Sequence, residues 1–275
     1  MLELLQITND PALARRCDAI GGFRLFVDLE QHGKAQRQAG RNTFISSHVL
    51  ADIAPVKSVL THSRLMVRVN PLHGRSAEEI DAVIACGADV LMLPMFNSAD
   101  TLRQFCDLVR GRVPVSALLE TAGALASIEE WASTPGLQEI YVGLNDLHIS
   151  LGLRFVFEPL ALGYVEQIAA VAKRRGLDFG FGGIARLAEG LLPGRDVLAE
   201  HVRLGSNAVI LSRTFYASES TVSLEQEVAA LREAETRLAS RDNDQAARES
   251  QAIRESVVTI AASLRDRDRQ QEFHS

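Results

Sequence analysis

The chain has 275 residues, a formal net charge of −6 and 47% hydrophobic residues. The length suits one large domain with a sizeable core, and the acidic balance leaves no basic excess to follow a phosphate backbone, which excludes nucleic acid as the expected partner. Cys17, Cys86 and Cys106 form no CxxC pair, and the chain has neither a signal-type start nor a long apolar run, so neither a disulfide framework nor a zinc site is expected, and a cytoplasmic protein without membrane association is.

Short runs rich in Val, Leu, Ile and Phe alternate with segments of helical period. The runs predict eight strands, near Glu3–Thr8, Arg24–Glu30, Leu65–Asn70, Asp89–Phe96, Val113–Thr121, Glu139–Asn145, Asp178–Gly182 and Ala208–Phe215. Val90-Leu91-Met92-Leu93 and Ala208-Val209-Ile210-Leu211 are apolar on both faces, as in parallel sheets covered by helices. Between the strands, Ser76 with Glu79 predicts a capping box opening a helix that ends at Gly87. Ser98 to Gly111 repeats the pattern. Gly163 to Gly176 predicts another helix, whose Lys173-Arg174-Arg175 last turn suits the helix dipole. Strands and helices alternating over about 215 residues predict an α/β fold, a (β/α)8 TIM barrel. An open doubly wound sheet would carry a Gly-rich phosphate turn after its first strand, and none is present.

Residues 1–222 therefore form the expected catalytic barrel and 223–275 a C-terminal helical extension. Val228, Leu231, Ala234 and Leu238 give a first helix its stripe, and Ile253, Val257, Ile260 and Leu264 a second, with a break at Arg241–Asp244. The first completes the barrel. The second is surplus, and its stripe either packs on its own barrel or forms an oligomer contact. The last ten residues are expected to fray.

In such a barrel the C-terminal strand ends face the active-site mouth. Those ends carry Asp28 and Glu30, Arg68 and Asn70, Pro94, Glu120, Asn145 and Asp146, Gly182 and Gly183, and Ser212 and Arg213. Glu120 and Asp146 each end an otherwise apolar strand, where a lone carboxylate is costly. Together, with water and substrate oxygens, they make a hard oxygen site suited to Mg²⁺ or Mn²⁺. The alternative is that each caps the helix that follows. Arg68 lies in an apolar strand, so its guanidinium needs a carboxylate, either from a ligand or from Asp28 or Glu30. The three lysines, Lys34, Lys57 and Lys173, lie off the predicted strands, which argues against an imine mechanism.

Val27-Asp28-Leu29-Glu30, Met66-Val67-Arg68-Val69-Asn70-Pro71, Leu93-Pro94-Met95, Leu119-Glu120-Thr121 and Gly143-Leu144-Asn145-Asp146-Leu147 occur in order on five successive strands. Together they resemble the HpcH/HpaI aldolase and citrate lyase β-subunit family over roughly residues 20–215. The resemblance implies a phosphoenolpyruvate/pyruvate-type barrel with a divalent metal on Glu120 and Asp146. It matches Arg68 to the arginine that contacts the 2-oxo acid. It also implies a metal-assisted aldol or Claisen-type reaction through the enolate of pyruvate, oxaloacetate or a related 2-oxo acid. A homo-oligomer, trimer or hexamer, is expected.

One departure bears on the base. Family aldolases tend to have His after the acid matching Glu30, and citrate-lyase-like members Asp. Here Gln31 follows, with His32 one step later. Either His32 reaches in, Glu30 acts, or the proton passes through water at the metal. His48, after the polar run 42–47, is a candidate substrate contact, and Lys34 and Arg37 are candidates for the mouth. Asn70, Pro94, Gly182 and Gly183 complete the expected substrate-binding set; the two glycines offer backbone N–H groups to an anion. His148 is a site candidate beside Asp146, and Trp131 is expected to be packing. The alternatives are a thioesterase, a transferase or a phosphoenolpyruvate-using condensing enzyme on the same core, or a non-catalytic binding barrel.

Overall fold

A computed structural model describes residues 1–33, 47–216 and 222–272. Eight parallel strands close into a barrel in sequence order, β1 pairing with β8. They are β1 Glu3–Ile7, β2 Phe23–Asp28, β3 Arg64–Arg68, β4 Val90–Leu93, β5 Val115–Leu119, β6 Leu137–Val142, β7 Asp178–Ile184 and β8 Ala208–Leu211. The helices outside are α1 Pro11–Ile20, α2 Ile53–Lys57, α3 Ser76–Ala85, α4 Ala99–Val109, α5 Ala122–Ala126, α6 Ile128–Trp131, α7 Leu144–Ser150, α8 Glu158–Ala161, α9 Tyr164–Arg175, α10 Gly194–Leu204, α11 Leu224–Ala239 and α12 Asn243–Glu272. Lys34, Arg37 and most of the polar run before His48 lie outside the described residues.

Alternation along each strand sorts the core into two bodies. Leu5, Phe26, Met66, Val90, Met92, Leu118, Tyr141 and Ala208 fill the barrel interior. The larger body lies between the strands and the helices, and includes Val228 and Leu231 of α11 and Ile253 and Val257 of α12. Toward the strand N-termini the interior turns polar. Buried Arg24 places Nη1 2.9 Å from both carboxylate oxygens of Glu139, and Nη2 bonds Glu3. Burial alone would lower Arg24, and the two carboxylates outweigh it and raise it.

The helix ends show where local chemistry decides. Ser98 caps α4, accepting from Thr101 N at 3.3 Å. Gly163 and Gly176, both left-handed, bracket α9. Ser76 is not an N-cap, because the helix already begins there after Arg75. Its hydroxyl accepts from His73 N at 2.9 Å, and Glu79 binds Asn70 instead of reaching back.

Among the described residues after β8, a short 3-10 turn at Arg213–Tyr216 is followed by two α-helices, broken between Ala239 and Asn243. At the barrel's lower rim, Arg232 of α11 donates to Gly22 O, and Glu235 accepts from Leu2 N at 2.6 Å. The surplus helix α12 packs against α8 and α10 of its own chain. It buries Ile253, Val257 and Ala261, with Arg254 paired to Glu166 and Arg265 to Glu158. It continues without a break to Glu272.

Candidate active site

The C-terminal strand ends open on a cavity of about 510 Å³. Its floor is the top of the interior core, including Phe26, Met92, Leu118 and Tyr141. Arg68, Glu120 and Asp146 also line it.

Arg68 ends β3. Its Nε and Nη2 each lie 2.8 Å from one oxygen of Asp28, a bidentate fork, and Nη1 is 3.3 Å from Glu30 Oε2. Of the two partners the sequence left open, protein carboxylates hold it here. Burial would lower the guanidinium, but Asp28 above all, then Glu30 and Glu120, hold it above its ordinary value. It therefore stays a fixed positive charge at the cavity edge.

Glu120 follows β5 and is 2% exposed. Its Oε1 accepts from Met95 N at 2.9 Å. Met95 has φ 55°, a left-handed conformation that costs a non-glycine residue about 1–3 kcal/mol. The turn aims the amide at the carboxylate. Gly143 supplies the room: a Cβ there would stand 2.7 Å from Glu120 Oε2 and 2.9 Å from its Cβ. Burial pushes Glu120 up to about 8, and the negative charges of Asp146 and Glu30 add to the push against Arg68 and the Met95 amide.

Asp146 sits in the first turn of α7, not at a strand end. Strand β6 stops at Val142, and Gly143 leads directly into the helix, with Leu144 and Leu147 buried on one face. A divalent cation fits this donor set: two carboxylates line one cavity, and the negative charge of Asp146 bears on the buried Glu120, whose rise is due first to burial. Among the described residues no group of three or more His, Cys, Asp or Glu is arranged to hold a metal. Water and substrate oxygens would complete the coordination.

The other candidates divide. Gly182 and Gly183 line the cavity. Gly182 has φ 53°, and its carbonyl accepts from Tyr141 Oη at 2.7 Å, while that oxygen accepts from Ile210 N at 2.8 Å. Tyr141 thereby bridges the register shift between β7 and β8. Glu30, His32, Asn70, Pro94 and His48 are not among the described cavity-lining residues. Asn70 is a strap, whose Oδ1 accepts from Gln31 N at 2.9 Å and His32 N at 3.1 Å and whose Nδ2 donates to Glu79. His32 is exposed and packs edge-on against His73. His48 is buried, its Nδ1 accepting from Asp28 N at 3.1 Å. His148 is buried as well, its Nδ1 3.1 Å from Leu144 O, and Trp131 is fully buried, donating to Ala124 O.

Phe155, Val156, Phe157, Leu191 and Leu192 form a wall that the strand-end rule did not find, because they lie on the loops after α7 and β7. The apolar run Phe155-Val156-Phe157 outside any predicted element was the available signal.

A barrel with this rim belongs to a class of enzymes whose chemistry sits at the strand C-termini. The sequence profile of HpcH/HpaI aldolase/citrate lyase matches residues 4–180. The chain belongs to the HpcH/HpaI aldolase/citrate lyase family. A (3S)-malyl-CoA thioesterase of Cereibacter sphaeroides is 34% identical over 98 residues, a stretch covering 35% of this chain and about a third, 34%, of the relative. The HpcH/HpaI aldolase of Desulfitobacterium hafniense shares the fold with a TM-score of 0.61 at 17% identity, covering 77% of this chain and 86% of its own. Protein CitE of Mycobacterium tuberculosis, in complex with magnesium, acetoacetate and coenzyme A, has a TM-score of 0.59 at 16% identity, covering 85% of this chain and 80% of its own.

Proposed function

We propose that this protein is a divalent-metal-dependent carbon–carbon lyase or aldolase acting through the enolate of a small 2-oxo acid. The observation that carries the reading is the meeting of Arg68, Glu120 and Asp146 on one cavity rim. The magnesium in the related CitE complex supports Mg²⁺, or Mn²⁺, as the ion.

Glu120 and Asp146 would hold the ion, which when bound supplies Lewis-acid polarisation of the 2-oxo group. Arg68 presents its charge to the same oxygen. Its fork is occupied by Asp28 and its Nη1 lies 3.3 Å from Glu30, so it would contribute its field and would not clamp the substrate carboxylate. Asp28 and Glu30 fix Arg68 and keep it charged. In the cleavage direction the C3–C4 bond of a 4-hydroxy-2-oxo acid breaks, and its electron pair moves into the C2–C3 enolate. The C4 hydroxyl gives its proton to water and becomes the aldehyde carbonyl, and C3 takes a proton to give the 2-oxo acid. The apolar floor of Phe26, Met92 and Leu118 limits competing water beneath the reacting carbons.

The test is hydrogen exchange at the methyl group of pyruvate in D₂O with Mg²⁺ or Mn²⁺, followed by NMR, beside Glu120→Ala and Asp146→Ala. The reading expects metal-dependent exchange that both variants lose. Wild-type protein that exchanges nothing with either ion would sink it. The similarity to a malyl-CoA thioesterase favours a second reading, the same enolate site acting on a coenzyme A thioester. Product analysis with malyl-type thioesters separates the two.

A further inference from the structure

The cavity is much larger than the proposed reacting group. A three-carbon 2-oxo acid displaces a few waters at about 30 Å³ each, on the order of 100 Å³, against about 510 Å³ available. The two parts of the lining differ in chemistry. Arg68, Glu120, Asn145, Asp146 and Ser212 make the polar part, and Phe155, Val156, Phe157, Leu191, Leu192 and Val197 make an apolar wall.

The wall is ordered by its own contacts. The Phe155 and Phe157 rings meet edge to face at 5.6 Å. Gly190 turns with φ 98°, and a Cβ on it would lie 2.7 Å from Leu192 O, so only glycine makes this turn. The turn buries Leu192 to 3% exposure and leaves Leu191 64% exposed. Among the described lining residues Arg68 is the only cation, and its fork is held by Asp28. Against this wall a second carboxylate on the substrate would meet only apolar side chains among the described residues, which is costly where water is displaced. An alkyl or aryl group there would gain from burial.

We infer that the substrate carries an uncharged apolar chain beyond the reacting carbons, an alkyl- or aryl-substituted 4-hydroxy-2-oxo acid that releases an apolar aldehyde, with the 155–157 and 190–192 segments selecting for that chain. This rests on the enolate reading for the placement of the 2-oxo acid, and on the wall alone for the preference.

Isothermal titration of the full-length protein with Mg²⁺ tests it, using pyruvate, 2-oxohexanoate, 2-oxooctanoate and 2-oxoglutarate. Affinity should rise about fourfold per buried methylene, and 2-oxoglutarate should bind more weakly than 2-oxohexanoate. Leu191→Asp, at an exposed position that folding does not need, should weaken 2-oxooctanoate at least tenfold relative to pyruvate. A flat series overturns the inference, as does a preference for the dicarboxylate, an unaffected Leu191→Asp, or no binding by any of the four. Pyruvate methyl exchange on the same samples reports the enolate reading separately. Exchange with a flat series removes only the chain preference, and a steep series without exchange removes only the enolate chemistry.

Discussion

Replacing Gly143 by alanine tests the placement of Glu120 by geometry alone. Gly143 has φ −79° and ψ 82°, which alanine accepts, and its N–H to Leu119 O at 3.0 Å is kept. The new methyl would stand 2.7 Å from Glu120 Oε2, 2.9 Å from Glu120 Cβ and 3.2 Å from Leu118 Cδ1. Carbon contacts settle near 3.5–4.0 Å, so the Glu120 Cβ must retreat by about 0.6–1 Å. Its carboxylate cannot simply swing away, because Oε1 is tied to Met95 N. Overpacking of this kind costs about 1–3 kcal/mol, and a chain this long loses about 2–4 °C of Tm per kcal/mol. A reacting group misplaced by about 1 Å loses on the order of 100-fold in rate. The assay is pyruvate methyl exchange beside thermal melting. Gly74→Ala is the control, since a Cβ there meets nothing within 4 Å. Gly143→Ala with wild-type exchange and wild-type Tm would refute the claim that the missing side chain positions Glu120.

Arg68→Ala strands the buried Asp28 and Glu30 carboxylates; a loss of about 3–5 kcal/mol is expected in urea unfolding, and a loss under 1 kcal/mol would mean that the two carboxylates find other partners. Tyr141→Phe removes the hydroxyl shared by Gly182 O and Ile210 N, which should cost about 1–3 kcal/mol and speed amide exchange at Ile210, whereas unchanged protection there would count against the bridge. Asp18 accepts from Thr61 N and Oγ1, His62 N and Ser63 N. Burial would raise it, but these donors outweigh burial and hold its carboxyl well below the usual range. Its folded pKa being depressed, its stabilisation is present above the unfolded value and is lost as pH falls below about 4. Asp18→Asn should therefore lose about 2 kcal/mol at pH 7 and show a shallower decline in Tm between about pH 4 and pH 2; parallel Tm curves for the two proteins would contradict this.

The eight strands were legible because the apolar runs are short, β-rich and punctuated, and the interior and outer positions are both apolar. Their ends were not. Asp89–Phe96 shortens to Val90–Leu93 because the left-handed Met95 turns the chain out of the sheet. Glu139–Asn145 stops at Val142 because Leu144 and Leu147 pack at helical spacing. Arg68 and Glu120 reach the cavity because the strand-end rule depends only on barrel direction, and Asp146 reaches it from the first turn of the helix that follows β6. Asn70 satisfied the same strand-end argument, and His48 was a candidate from its loop, but Asn70 turns to the Gln31 and His32 amides and to Glu79, and His48 to the Asp28 amide; a side chain's direction after the last paired residue is set by contacts that periodicity does not carry. The apolar wall arises from two loops more than 30 residues apart, and the parallel pairing of β6 with β7 brings them together.

The anchor on Glu120 is a main-chain amide, and that changes how the site drifts as sequences diverge. Side chains at position 95 can vary while the N–H stays where the turn puts it, and only proline would delete it. A survey of side-chain identity would pass over Met95 as an unremarkable residue, although the carboxylate beside it depends on the turn. Grafting Glu120 and Asp146 onto another barrel would fail for the same reason unless the left-handed turn after β4 travelled with them.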